Sequence, residues 1–129
     1  MKVEVEIARL AKKYGISMMI VFGSVAKGKE QQGSDIDIAY SAPNPLKLTS
    51  ELVLRKELFK IFLREADLVY IPHASVLLMT QISKYGTLIF GSQSDFNSFK
   101  LNSFHRKNDY APYFLMQERL NKRFLSHAG

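Results

Sequence analysis

The stretch from Val21 to Tyr40, "VFGSVAKGKEQQGSDIDIAY", decides how the chain is read. An apolar run over residues 17–22 ends at Gly23 and Ser24. A polar segment, "KGKEQQG", follows, and apolar residues resume around Asp35 and Asp37. The pattern predicts two strands, 17–22 and 34–40. Residues two apart on a strand share a face, so Asp35 and Asp37 project together while Ile36 and Ile38 project the other way, into the core. The strand reads as buried, and burying two carboxylates together is costly unless a cation sits between them. Two convergent carboxylates are a hard-oxygen site, suited to magnesium or manganese. The competing reading is a pair of strand-end carboxylates facing solvent.

Gly23 and Ser24 open a short turn or helix at "SVAKG". Backbone N–H groups at such a start point outward and bind phosphate. Gly23 permits close approach. The Ser24 hydroxyl can add a hydrogen bond, a role compatible with capping the helix. Lys27 and Lys29 are either phosphate contacts or solvated loop cations. A phosphate cradle facing a carboxylate pair suits metal-assisted phosphoryl or nucleotidyl transfer. Asp67, in "EADLVYI", joins the pair if its strand lies beside residues 34–40. A third carboxylate there can ligate a metal or accept the proton of an attacking hydroxyl. Otherwise Asp67 is a charged turn residue beside Glu65.

Working outward, the chain alternates helices and strands. Val3, Ile7, Leu10, Ala11 and Tyr14 make one helical face, with Glu4 and Glu6 early, Lys12 and Lys13 late, and Gly15 as the stop. After the proline-rich "SAPNPL", a helix is predicted over about Thr49–Glu65. Its inner face is Leu54, Leu58, Ile61 and Phe62, and its outer face is Glu51, Arg55, Lys56, Lys60 and Arg64. "DLVYI" reads as a third strand closed by Pro72. A helix over Ser75–Tyr85, a short apolar "TLIF" and a helical remainder from Asp95, broken at Pro112, complete the chain. No repeat or linker divides it, so 129 residues form one domain.

The balance of 18 Lys and Arg against 12 Asp and Glu, a net charge of +6, favours polyanionic ligands or an acidic partner without choosing among them. There is no cysteine, hence no disulfide framework or thiolate metal site, which suits a reducing cytoplasm. "MKVEVEIARLAKK" has no hydrophobic core of a leader, and "MMIVF" is far too short for a bilayer. His73, His105 and His127 show no ligand spacing. The basic section with Lys100, Arg106, Lys107, Arg119, Lys122 and Arg123 carries Phe104, Tyr110, Tyr113 and Phe124 between its charges. It reads either as a solvated helix face over an apolar stripe or as a partner surface.

The segment "GSVAKGKEQQGSDID" fits G-S-x10-D-x-D, the signature of the DNA polymerase β-like nucleotidyltransferases. Gly-Ser, the ten-residue gap and D-x-D hold at once. "FGSVAKG", "SDIDIAY", "ADLVYI" and "ISKYGTLIF" resemble the minimal nucleotidyltransferase (MNT) antitoxins that pair with HEPN-domain toxins, over about Ile16 to Phe124. One departure is Lys27, where an arginine is common; lysine lacks the bidentate fork.

This resemblance implies an α/β (α+β) fold, a small mixed sheet flanked by helices. One nucleotidyltransferase domain over 1–129 is expected, and the aromatic and cationic residues of the helical tail at 95–129 make it the expected partner-docking element. It implies Mg2+ in a two-metal site on Asp35, Asp37 and Asp67, which are also the catalytic residues, and ATP held at Gly23, Ser24 and Lys27. The implied reaction is AMP transfer to a tyrosine of a HEPN RNase toxin, in a cytoplasmic hetero-oligomer. Three other readings stay open. A small-molecule, aminoglycoside-type adenylyltransferase usually carries an added substrate domain, for which this chain has little room. A nucleic-acid-elongating enzyme would want a nucleic-acid module, and none is visible. A non-catalytic toxin-binding antitoxin would not need the intact carboxylate set.

Overall fold

The fold is taken from a computed structural model that describes residues 2–23 and 35–109, with side chains to 106. Four strands form one mixed sheet: β1 (Met18–Phe22), β2 (Ile36–Ser41), β3 (Ala66–Tyr70) and β4 (Thr87–Phe90), in the order β3-β2-β1-β4. β1 pairs antiparallel with both β2 and β4, whereas β2 and β3 are parallel. A parallel pair needs a crossover, and helix α2 (Leu48–Phe62) supplies it.

Alternation along the strands separates two apolar layers. On one face Met19, Val21, Ile36, Ile38, Tyr40 and Ala66 pack against Leu10 of α1 (Lys2–Lys13) and Leu54 and Leu58 of α2. On the other, Met18, Ile20, Phe22 and Ala39 pack with α3 (Val76–Tyr85) and α4 (Gln93–Asp109) through Met79, Ile82, Phe96 and Phe99. β1 is buried at all five positions, as a central strand covered on both sides must be.

Several boundaries have local causes. Ser75 caps α3 by accepting the Leu78 N–H at 3.1 Å, and Ser92 caps α4 by accepting the Asp95 N–H at 3.0 Å. α2 stops at Phe62, three residues before the expected Glu65, because Leu63 adopts a left-handed conformation (φ 58°) while its N–H still bonds to the Phe59 carbonyl. Pro72 falls in a 3-10 turn, Ile71–His73, that ends β3. In α1, Ile7, Leu10 and Ala11 are buried as expected, but Val3 is 49% exposed: the stripe continues past the layer that it packs on. The part of the predicted tail that lies in α4 is built into the second layer by Phe96 and Phe99. The break expected at Pro112 lies outside the described residues.

Ile38 sits at the centre of the sheet with no exposure. Ile38→Ala is expected to lower unfolding stability by roughly 2–5 kcal/mol, and Val3→Ala by less than about 1 kcal/mol. Urea denaturation of the two variants measures the difference.

Candidate active site

The sheet brings Asp37 to the end of β1. Phe22, its last residue, is the register partner of Asp37, and Gly23 follows in a positive-φ conformation (85°). A Cβ at position 23 would run into the Asp37 carboxylate, with Oδ2 nearest and Cγ at 3.2 Å. Gly23 therefore has two reasons to be glycine, backbone conformation and the space that the carboxylate occupies. Sequence reasoning found only a third, close approach by phosphate.

Asp37 is also the register partner of Asp67 across the parallel pair. Position 37 alternates with the buried Ile36 and Ile38, and position 67 with the buried Ala66, so both carboxylates lie on the sheet face opposite α1 and α2. The Asp37 side chain is half-buried, and its carboxyl is pushed above the ordinary value of 3.8. Burial is the main cause, followed by the negative charges of Asp67 and then Asp35. Asp35 is exposed, just before β2. Asp37, Asp67 and Gly23 thus come together with Asp35 beside them. Ser24, Lys27 and Lys29 lie outside the described residues.

The expectation that residue 55 belongs to the outer face of α2 needs correction. Arg55 is only partly exposed and reaches around the edge of β3. Its Nε donates to the Ala66 carbonyl at 2.7 Å and its NH2 to Asp67 Oδ1 at 3.0 Å. Helical periodicity cannot show this, because it does not say which strand of the sheet is the edge. The available signal was an arginine on a crossover helix that must pack beside the strand it feeds. Among the described residues, no three His, Cys, Asp or Glu side chains are grouped to hold a metal ion. Asp35 and Asp37 nevertheless fit a hard cation. They are oxygen donors, and the ionised form of Asp37 is disfavoured by burial and like charge, the condition that a bound cation relieves.

The described histidines take no part. His73 packs edge-on against Tyr70 at the other end of β3, and His105 against Phe104 in α4.

Residues 5–95 match the family described as Polymerase beta, Nucleotidyltransferase. The chain is similar to a protein adenylyltransferase MntA of Shewanella oneidensis, with 30% identity over 88 residues, 68% of this chain and 63% of that protein. The match thus spans less than two thirds of the relative's length. A chain in the crystal structure of a toxin–antitoxin with AMP-PNP superposes with a TM-score of 0.74 at 25% identity, over 91% of this chain and 97% of that one. The fold is shared with a structure of a tri-AMPylated Shewanella oneidensis HEPN toxin in complex with MNT antitoxin. The TM-score there is 0.68 at 23% identity, covering 92% of this chain and 96% of that one.

The raised carboxyl of Asp37 sets a pH dependence for the metal-free protein. Above 3.8 the unfolded chain releases this proton first, so the native state holds more protons and its stability falls as pH rises towards the raised value. Asp37→Asn removes this contribution. The variant is expected to be at least as stable as the wild type, with an advantage that widens as pH rises through that window. Thermal melts in EDTA across acid to neutral pH check it; a variant that melts far below wild type would mark Asp37 as structural.

Proposed function

The chain belongs to the polymerase beta nucleotidyltransferase family, and on that premise we propose that it transfers AMP from ATP, with magnesium, to a tyrosine hydroxyl of a HEPN-domain toxin. In this reading it is the toxin's cytoplasmic antitoxin. The observation that carries the proposal is Asp37, half-buried and facing the charges of Asp67 and Asp35, with Gly23 packed on its carboxylate. The likeness to an adenylyltransferase and to chains of toxin–antitoxin complexes supports the choice of donor and acceptor.

In this reading Asp35 and Asp37 would hold the metal, with Asp67 as the third carboxylate. A magnesium ion there would offset their charge and that of the triphosphate. Gly23, Ser24 and Lys27 hold the triphosphate; Gly23 also leaves Asp37 its place. The acceptor oxygen attacks the α-phosphorus in line, pyrophosphate leaves, and the hydroxyl proton passes to Asp67. The partner completes the site, and the 95–129 tail is the docking element. In its described part Leu101 and Phe104 are 59% and 58% exposed. No helix of the described residues is long and apolar enough to cross a membrane.

Intact mass spectrometry of the chain co-expressed with a HEPN partner tests the proposal. Additions in AMP-sized steps on the partner are expected with wild type and absent with Asp35→Asn/Asp37→Asn. A partner that stays unmodified yet is neutralised by both would overturn it in favour of neutralisation by binding alone.

A further inference from the structure

Glu65 and Ala66 alternate in the direction of their carbonyls. The Glu65 carbonyl accepts the Ile36 N–H of β2 at 2.8 Å, so the Ala66 carbonyl points away from β2, to the open edge of β3. Arg55 Nε meets that carbonyl at 2.7 Å. The same guanidinium then holds Asp67 Oδ1 at 3.0 Å. Two bonds from one planar group to a backbone atom and to a side chain leave the carboxylate little freedom. The Arg55 side chain is 32% exposed and that of Asp67 51%, so the pair is accessible to solvent yet anchored to a strand. Oδ1 is occupied by Arg55, whereas Oδ2 makes no hydrogen bond among the described residues.

We infer that Arg55 is a positioning residue for nucleotidyl transfer: it anchors Asp67 through Oδ1 and leaves Oδ2 for the acceptor hydroxyl. The inference rests on the reading of Asp67 given above. It separates the two tasks open to a third carboxylate. The guanidinium lowers the affinity of the carboxylate for a metal and for a proton alike, so charge does not separate the two tasks. Geometry does: with Oδ1 held by Arg55 the carboxylate cannot chelate or bridge cations through both oxygens, while Oδ2 is left in a fixed orientation to accept one proton. Arg55 thus divides the acidic cluster, with Asp35 and Asp37 for the metal and Asp67 for the acceptor. Arginine suits this task because its planar fork fixes the two donors relative to each other, which the rotating ammonium of lysine does not.

Three variants, Arg55→Ala, Arg55→Lys and Asp67→Asn, separate charge from geometry. Mn2+ binding to the full-length chain, followed by electron paramagnetic resonance, needs neither nucleotide nor acceptor. Arg55→Ala frees Asp67 for the cluster and is expected to tighten Mn2+ roughly threefold, the scale of a partly exposed ion pair. Arg55→Lys keeps the charge and should leave Mn2+ affinity within about twofold of wild type. The tightening should vanish in Arg55→Ala/Asp67→Asn. A role confined to capping the strand edge would shift melting temperature but would not tighten Mn2+. Weaker Mn2+ binding by Arg55→Ala, or tightening that persists without Asp67, would overturn the inference.

In transfer assays Arg55→Lys should lower kcat about tenfold at unchanged KM for ATP, as loss of orientation predicts. Arg55→Lys/Asp67→Asn should be no slower than Asp67→Asn alone. Wild-type rates in Arg55→Lys, or losses that multiply in the double variant, would also overturn it. If the wild-type chain transfers nothing, the proposed function falls and the Mn2+ measurements still decide what Arg55 does. Should Arg55→Ala fail to fold, Arg55→Met, which keeps the apolar stem, takes its place.

Discussion

Register in the parallel pair sets Asp37 opposite Asp67, with Asp35 one step outside the ladder, so negative charge is concentrated at one end of two adjacent strands. Repulsion there works against the native fold and has to be offset by burial elsewhere. The offset lies in the same strands: Ile36, Ile38 and Ala66, immediately adjacent to the aspartates, are among the most buried residues of the chain. The apolar layer under α1 and α2 holds rigid the backbone from which the carboxylates project. A loop could not hold them so close, because it would relax to separate the charges.

Two devices keep the cluster in order, and they act oppositely. Gly23 works by absence. With no Cβ, and with a backbone conformation that other residues adopt only under strain, it lets the Asp37 carboxylate lie against the end of β1. Arg55 works by presence. It brings a positive charge around the edge of β3 and satisfies a carbonyl that the sheet leaves unpaired. Space for one carboxylate and a counter-charge for another make unlike environments out of chemically identical groups. Burial of Asp37 raises its carboxyl, whereas Asp67 stays half in solvent beside its arginine. Unlike environments are what allow neighbouring carboxylates to take different roles.

The sequence was legible where period and punctuation agree. α1 and α3, and the buried Ile36 and Ile38 on either side of Asp37, all follow from counting positions. Errors arose where the third dimension decides. Val3 fits the helical stripe but lies beyond what the helix packs on. Leu63 ends α2 in a conformation usual for glycine, which no propensity would assign to leucine. Arg55 looked like a solvated cation because its partners lie on a strand whose edge position appears only when the order β3-β2-β1-β4 is known. Gly23 was singled out, but its contact with Asp37 depends on the antiparallel register of β1 and β2, which the intervening sequence does not specify. The motif thus pointed to one end of β1 and β2, and strand order supplied the electrostatics there.

That register needs its own support, because one residue of slip would turn the aspartates into the core. Support comes from the far ends of the same strands. Tyr40 and Tyr70 are register partners three residues beyond Asp37 and Asp67, with ring centroids 5.3 Å apart. Their hydroxyls both engage the proline-rich segment after β2: Tyr40 accepts the Leu46 N–H at 3.0 Å, and Tyr70 donates to the Ala42 carbonyl at 2.9 Å. A slip of β3 along β2 would break the ring contact and the Tyr70 hydroxyl bond together, besides burying a charge. Odd positions present carboxylates to one face, and even positions lock the pairing from the other. Contacts at one end of the two strands thus hold the register that sets Asp37 opposite Asp67 at the other.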